Sequence, residues 1–344
     1  MKRLIKKFTI YNLIKSILKK KINIFIYQFS YSYQINELNK LKKIKIVCYQ
    51  HQSIFFWIYV NYTSFKSLYN SYKNSKYIIS LIHLENDYIF QKWGIKSIFM
   101  HNFITYEYNS SFPLNLYSKT ILMIGRADDK TKRFELGIEA MEYITEEISE
   151  IEMRIITNMT NIFYLKNLIN ILSLENNIKF YEYTSLPEKY FRNISLNIIP
   201  SISESFSLVL SETKIYGIPN IIIGLDYISI AKGGIISIYD DYPETIAKES
   251  LKILINDEYR QKLGIEARRS MKKFKNKTLL KKWINLILSI YYGDYYYDKL
   301  RKLDKKICEK KALNLLKNQI MLFKKRKICP KFINLTKIEN LNFK

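Results

Sequence analysis

The stretch Thr120-Ile121-Leu122-Met123-Ile124-Gly125-Arg126 decides the fold. It is a buried-type strand run that stops at a glycine, and a helical pattern follows it, with Leu136, Ile138, Ala140 and Ile144 as the apolar positions. Downstream, Met153 to Ile156 reads as a strand, Tyr164 to Leu172 as a helix, and Ile178 to Tyr181 and Leu196 to Ile199 as strands. A helix closed by Gly217 and Pro219 then leads into the strand Ile221-Ile222-Ile223. Upstream the alternation is the same: strand Lys45 to Tyr49, a helix-compatible stretch Ser64 to Lys73, strand Tyr77 to Ile82, helix Glu85 to Trp93 ended by Gly94, and strand Ser97 to Met100. Alternating strands and helices imply α/β architecture, with parallel sheets covered by helices on both faces. The count is too large for one compact sheet. Asn109-Ser110-Ser111-Phe112-Pro113 is the best linker candidate, which gives two doubly wound, Rossmann-like domains. The expected division is a short first domain over 1–113, a second over 114–295, and a helix with a basic tail over 296–344. In such folds the ligand site lies at the carboxyl ends of the strands, so a central cleft faced by both domains would collect both sets of ends.

Composition narrows the class. The chain has 344 residues, which fits two domains at roughly 150 residues each, with a tail. Hydrophobic residues make up 48%, enough for a sizeable core, so a disordered polyelectrolyte is excluded. Three cysteines (Cys48, Cys308, Cys329) at wide spacing make neither a disulfide framework nor a zinc motif, and a reducing compartment fits them. With three histidines (His51, His83, His101) there is little room for a His-rich metal site. The net charge is +25. It has two readings: drift toward Lys in an AT-rich genome, which the abundance of Lys, Ile, Asn and Tyr suggests, or attraction to an anionic membrane or a nucleic acid.

The longest apolar runs, Ile54 to Val60 and Ile22 to Tyr27, are strand-sized and far below the ~20 residues needed to cross a bilayer. The N-terminus lacks an uninterrupted apolar segment and a small-residue cleavage site, so the expected location is cytoplasmic. Ile10, Leu13, Ile14, Ile17 and Leu18 recur at helical spacing among Lys15, Lys19, Lys20 and Lys21. Such a basic amphipathic helix either lies on an anionic lipid surface or packs its stripe on the domain. Leu315, Ile320, Met321 and Phe323, beside Lys324 to Lys327, repeat the theme as a peripheral appendage.

The residues that carry chemistry cluster in the second half. Gly125 lets the chain turn after a strand and lets a ligand approach. Arg126, and Lys132 six residues later, place two cations at the carboxyl edge of the sheet, where they suit a diphosphate or a solvated loop. The segment Pro200 to Glu212 follows a strand and enters a helix. Its carboxylates, Glu204 and Glu212, are eight residues apart, roughly 12 Å if the connection is helical. That is comparable to the reach from sugar to ribose in a nucleotide sugar. Between them the backbone N–H groups at the helix start offer an anion site. As isolated residues, the two would read as a local cap and a solvated helix position.

Taken together, these segments resemble the retaining glycosyltransferases of the GT-B fold, family 4, often labelled glycosyl transferases group 1. The resemblance runs from about Ile121 to Trp283: strand-Gly-Arg-loop-Lys over Ile121 to Lys132, then Phe134 to Ala140, then E-x7-E from Glu204 to Glu212, continuing to Gly217-Ile218-Pro219, and a late helix at Glu266 to Arg269 with Phe274. It implies that Arg126 and Lys132 hold the donor diphosphate as it leaves. It implies Glu212 on the ribose hydroxyls, Glu204 on the donor sugar, and the backbone N–H groups of Phe206, Ser207 and Leu208 on the phosphates. The base is expected near Phe180 and Tyr181. His51, after a first-domain strand, is the candidate catalytic-region histidine, and it also reads as an ordinary polar strand-end residue. His101 precedes Asn102, which resembles the family's strand-terminal Asn, so His101 is read as structural. The family's returning helix is expected at Asp294 to Leu303. No Asp-x-Asp is present, and two cations plus a helix N-terminus can replace a metal, so transfer is expected without a metal or other cofactor.

The chain departs from the family pattern at Ser205 and Arg133, where glycine is usual, and at Thr157-Asn158-Met159-Thr160, where a glycine-containing turn is common. Ser205 and Arg133 are tolerated if they keep negative φ. The Gly-rich loop usual near the start of the family is not found in residues 1–45, so the first domain is reduced. Three function classes follow. The lead is transfer of a sugar from a nucleotide-diphosphate sugar to a glycan or lipid-linked acceptor, with peripheral contact to an anionic membrane. The second is a catalytically impaired GT-B protein acting as a partner or scaffold. The third is a nucleic-acid binder, which the charge and the 29 Tyr and 19 Phe suggest but no recognised motif supports.

Overall fold

The computed structural model describes residues 24–28, 44–56, 62–75, 77–108, 118–184, 187–292, 310–315, 317, 318 and 321. The linker expected at 109–113, the basic helix at 10–21, the returning helix at 294–303 and the lysine cluster at 324–327 lie outside them. The described chain forms two compact units. One takes in the residues up to Asn102 and those from Lys277 to 318, and the other runs from Phe103 to Asn276.

The first unit holds β1 (Ile24–Gln28), β2 (Lys45–Gln50), α1 (Tyr62–Lys73), β3 (Tyr77–Ser80), α2 (His83–Trp93) and β4 (Ile98–Phe99). The strands pair in parallel in the order β1-β2-β3-β4. Gly94 closes α2 in the left-handed conformation, φ 66°, where its N–H donates to the Phe90 carbonyl. Further along the chain comes α8 (Asn276–Tyr292), whose buried Leu286 and Ile290 pack with Val47, Tyr77, Ile79 and Met100. This packing is why the helix belongs with the first unit, whereas the sequence reading kept residues up to 295 with the second. Lys45 Nζ donates to the carbonyls of Ile290 and, at 2.7 Å, Tyr291, a cation where the helix dipole is negative.

The second unit holds β5 (Thr120–Ile124), α3 (Phe134–Glu147), β6 (Glu152–Thr157), α4 (Phe163–Ile171), β7 (Ile178–Glu182), a 3₁₀ turn (Pro187–Tyr190), β8 (Leu196–Ile199), α5 (Leu208–Ile215), β9 (Asn220–Ile223), β10 (Ile235–Ile238), α6 (Pro243–Ile255) and α7 (Asp257–Met271). Its six parallel strands run β10-β9-β8-β5-β6-β7. Read from the other edge this is the 3-2-1-4-5-6 order of a dinucleotide-binding sheet, with the switch point between β5 and β8. Strand residues alternate between two cores, because successive side chains point to opposite faces. Ile121 and Met123 pack with Met153, Ile155, Ile198 and Ile221 on one face. Leu122 and Ile124 pack with Ile156, Phe191 and Ile218 on the other. Among the described residues no helix is long and apolar enough to cross a membrane.

One buried carboxylate organises the upper edge of the first sheet. Glu85, in the first turn of α2, is 1% exposed. Its Oε1 accepts from the Ile54 N–H at 2.6 Å and its Oε2 from the Ser80 hydroxyl at 3.1 Å, tying the loop after β2 to the end of β3. Burial pushes its pKa from the ordinary 4.5 up to about 7, against the pull of these hydrogen bonds. A carboxyl with a raised folded-state pKa binds protons more tightly folded than unfolded. Its contribution is therefore present below pH 4.5 and is lost as pH rises through about 7. Trp93 and Trp283 both lie in this unit, so tryptophan fluorescence reports it. We expect its stability to fall by roughly 2–3 kcal/mol between pH 5 and pH 8. Denaturant titrations should show that slope flattened in Glu85→Gln, and an equal slope in the variant would contradict the assignment.

Candidate active site

The switch point of the second sheet collects two loops. The loop after β5 starts at Gly125, whose N–H donates to the Ile156 carbonyl at 3.1 Å. Gly125 does not have a positive φ, so its value lies in space. A Cβ here would stand 3.3 Å from both Lys132 Cγ and Phe134 Cζ. The side chains that approach this glycine are therefore Phe134 and Lys132, the latter one of the two cations the sequence singled out.

Asp129 shapes the loop. Its N–H donates to the Arg126 carbonyl at 3.2 Å and its carbonyl accepts from the Lys132 N–H at 2.8 Å. Its Oδ1 accepts from the Thr131 N–H and hydroxyl, at 3.1 and 2.6 Å. Burial pushes the Asp129 carboxyl up, but Thr131, Arg126 and Lys132 outweigh it and hold the pKa below its ordinary value. Arg126 reaches back to Asp129 Oδ2 at 2.8 Å and is otherwise largely exposed. Beyond the loop, the Ala127 N–H donates to the Thr157 hydroxyl at 2.9 Å, which ties it to the end of β6.

The loop after β8 lies alongside. The Ile202 N–H donates to the Thr131 carbonyl at 2.8 Å, joining the two loops through the backbone. Lys132 Nζ lies 2.6 Å from Glu204 Oε1, and both side chains are mostly shielded from water. Tyr227, on the loop after β9, meets the Glu204 backbone: its hydroxyl donates to the Glu204 carbonyl at 3.0 Å and accepts from the Glu204 N–H at 3.2 Å. Phe206 is buried, edge-on to Phe274, and Leu208 is exposed. Ser207 is the N-cap of α5 at φ 63°, and its hydroxyl accepts from the Leu210 N–H at 3.4 Å. Glu212 is buried in α5, where its Oε1 accepts from the Thr105 hydroxyl at 2.5 Å. Two residues on, the fully buried Lys214 donates to the carbonyls of Ile230 at 2.6 Å and Lys232 at 2.7 Å. Burial lowers its pKa to about 7.

The departures from glycine resolve differently. Ser205 does not have a positive φ. Arg133 does, at φ 52° and ψ 49°, contrary to the condition set from sequence. It is the left-handed residue before α3, a position that costs a non-glycine residue about 1–2 kcal/mol. Its guanidinium offsets that strain by lying 2.8 Å from the buried Asp241 carboxylate, a charge contact rather than an aligned hydrogen bond.

Lys132, Glu204 and Gly125 are thus brought together. Arg126 in the loop after β5, Glu212 within α5 and Tyr181 near the end of β7 have other partners, and Tyr181 packs against Tyr190 at 5.4 Å. His51 belongs to the first unit, just past β2. It is half-buried, its ring 4.0 Å from that of Tyr49, and burial holds its pKa below the ordinary value. His101 Nδ1 lies 2.8 Å from the Asn102 carbonyl, and Asn102 Oδ1 accepts from the Tyr49 hydroxyl. Sequence reasoning missed Thr105, Asp129, Tyr227 and Lys214. Lys214 alone left a trace, as a cation one residue from the apolar Ile215 in a helix that closes between two strands. No cluster of three or more metal-ligating side chains occurs among the described residues.

Residues 107–270 match the sequence profile of the family described as "Glycosyl transferases group 1". No curated protein matches the chain. Solved structures do. TarM of S. aureus, determined as a mutant in complex with fondaparinux, alpha-GlcNAc-glycerol and UDP, is 20% identical with a TM-score of 0.62 over 76% of this chain and 55% of its own. The pneumococcal O-GlcNAc transferase GtfA, in complex with UDP and GlcNAc, is 15% identical with a TM-score of 0.63 over 80% of this chain and 59% of its own. Anabaena HepE, in complex with UDP and glucose, is 12% identical with a TM-score of 0.66 over 81% of each chain. The chain spans little more than half the length of the first two. At these identities the likeness establishes the fold, which is GT-B. The family match spans a little under half of the chain and takes in the loops after β5 and β8.

Proposed function

We propose that the chain transfers a sugar from a nucleotide-diphosphate sugar to a glycan or lipid-linked acceptor, with retention of anomeric configuration and without a metal. The observation that carries this reading is the contact of Lys132 with Glu204 at 2.6 Å across the switch point. A cation and a carboxylate meet there, where a doubly wound sheet binds nucleotides. In the transfer, the bond from the anomeric carbon to the diphosphate oxygen breaks and its electron pair leaves with the diphosphate. The acceptor hydroxyl oxygen takes its place and its proton is released. Negative charge grows on the leaving diphosphate. Lys132, Arg126 and the N–H groups of Phe206, Ser207 and Leu208 are assigned to supply positive charge in place of a metal ion. Glu204 is assigned to the donor sugar, Glu212 to the ribose and the region of Tyr181 to the base. His51 is the first unit's candidate catalytic side chain, its lowered pKa favouring the neutral imidazole at pH 7. The neighbours named above bind UDP, which makes UDP-sugars the first donors to test. The same reading has the protein cytoplasmic and peripheral to an anionic membrane.

The same ion pair favours a second reading. A Lys132 already neutralised by Glu204 suits a protein that has given up transfer and acts as a partner or scaffold. Thermal shifts against a panel of nucleotide sugars, followed by turnover assays, separate the two, since a ligand of the folded state stabilises it by RT ln(1 + [L]/Kd). We expect binding and turnover that survive EDTA and are lost in Lys132→Met. Binding without turnover selects the scaffold. Loss in EDTA with recovery in manganese would overturn metal independence.

The pair also makes a directional prediction. Donor phosphates must take Lys132 from Glu204, so removing the carboxylate charge frees the cation. In Glu204→Gln, UDP binding measured by calorimetry should tighten about tenfold, the scale of about 1–2 kcal/mol for a partly buried pair, while turnover falls. Weaker UDP binding in that variant would show that Glu204 does not compete with phosphate.

A further inference from the structure

The backbone of Glu204 is held by one phenol. The Tyr227 hydroxyl donates to the Glu204 carbonyl at 3.0 Å, accepts from the Glu204 N–H at 3.2 Å, and lies 3.2 Å from the Ser203 hydroxyl. A hydroxyl has one proton and two lone pairs. With its proton on the Glu204 carbonyl, the phenol receives from the Glu204 amide and the Ser203 hydroxyl. This brackets both peptide groups of a single loop residue.

The loop that carries Tyr227 is itself anchored. The Gly224 N–H donates to the Ile238 carbonyl at 2.8 Å, and Asp226 Oδ2 accepts from the Tyr239 hydroxyl at 3.1 Å. Its far end is gripped by Lys214, whose ammonium takes the carbonyls of Ile230 and Lys232. Lys214 stands on α5, two residues beyond Glu212. A continuous set of contacts thus runs from the helix that bears one carboxylate, through Lys214 and the 224–232 loop, to Tyr227 and the backbone of the other.

We propose that Tyr227 is a positioning residue for Glu204: its hydroxyl fixes the loop backbone, and through the loop held by Lys214 it sets where Glu204 stands relative to Glu212. This rests on the reading of Glu204 as the contact to the donor sugar. Lys132 acts on the Glu204 side chain and Tyr227 on its main chain, so the two roles separate. A donor that takes Lys132 releases the carboxylate to swing onto the sugar, while the phenol keeps its Cα in place.

The test is Tyr227→Phe in the full chain, which removes only the hydroxyl. Amide hydrogen exchange across residues 202–206 should accelerate while β5 and β8 keep their protection. The dissociation constant for UDP should stay within about twofold, since the phosphate-side groups are untouched, and kcat with UDP-glucose and UDP-N-acetylglucosamine should fall about tenfold or more, the scale for small misplacement of a reacting group. A general loss of structure would speed exchange in β5 and β8 as well and weaken UDP binding, so exchange confined to 202–206 and the split between kcat and UDP affinity identify positioning. Unchanged exchange at 202–206 overturns the proposal. So does full turnover in Tyr227→Phe when Glu204→Gln is inactive. Full turnover in Glu204→Gln overturns instead the assignment of Glu204 to the sugar, while accelerated exchange in Tyr227→Phe would still show the clamp on its backbone.

Discussion

The pairing of β5 with β8 is the constraint on which the site depends. Ile121 aligns with Leu196 and Leu122 with Asn197, although some seventy residues separate them. From β5 the chain winds outward through β6 and β7, then returns to lay β8 on the opposite side of β5 and winds outward again. Parallel crossovers are right-handed almost without exception, so reversing the direction of winding puts the connecting helices on opposite faces. The loops leaving β5 and β8 must then diverge over the sheet edge and leave a crevice between them. Lys132 and Glu204 face each other for that topological reason. The backbone bond from Ile202 to Thr131 holds the two loops at hydrogen-bond distance, so side chains of ordinary length can meet.

Much of this was legible because the second unit follows local rules. Buried strands read as continuous apolar runs, and Thr120 to Ile124 and Leu196 to Ile199 were placed to the residue. The helix read from Glu85 to Trp93, with its stop at Gly94, lacks only its first two residues, since it starts at His83 without a side-chain cap. The strand Ile235–Ile238 went unread. It is a short edge strand with only one fully buried residue, so it has neither the length nor the apolar contrast that marks a central strand. Lys132 and Glu204 were readable as chemistry because loops after strands carry it.

Other parts were not legible, because they are decided by tertiary contact. Tyr227 is one of 29 tyrosines, and nothing in its neighbours says that its hydroxyl meets the Glu204 backbone. Arg133 looked tolerable only at negative φ. The structure shows the left-handed strain accepted, because Asp241, more than a hundred residues on, supplies a buried counter-charge. The placement of α8 is of the same kind. The sequence reading named no helix there, and it is the contacts of Leu286 and Ile290 with Val47 and Ile79 that assign its buried face to the first sheet.

Each unit fixes a loop with a buried ionisable group, and both groups have been moved by burial to a pKa of about 7. Glu85 holds the loop after β2 by accepting from the Ile54 N–H, three residues past His51. Lys214 holds the loop after β9, which reaches Glu204 through Tyr227. An uncompensated buried charge is expensive, and a well-packed apolar side chain would be the cheaper filler at either position. What the apolar side chain lacks is direction. A carboxylate accepts from several donors at once and an ammonium donates to several carbonyls, so each can gather backbone groups that have no regular secondary structure to satisfy them. The cost of burial is thus tied to irregular loops at the carboxyl ends of strands, where a fold that binds ligands needs its main chain held in one place.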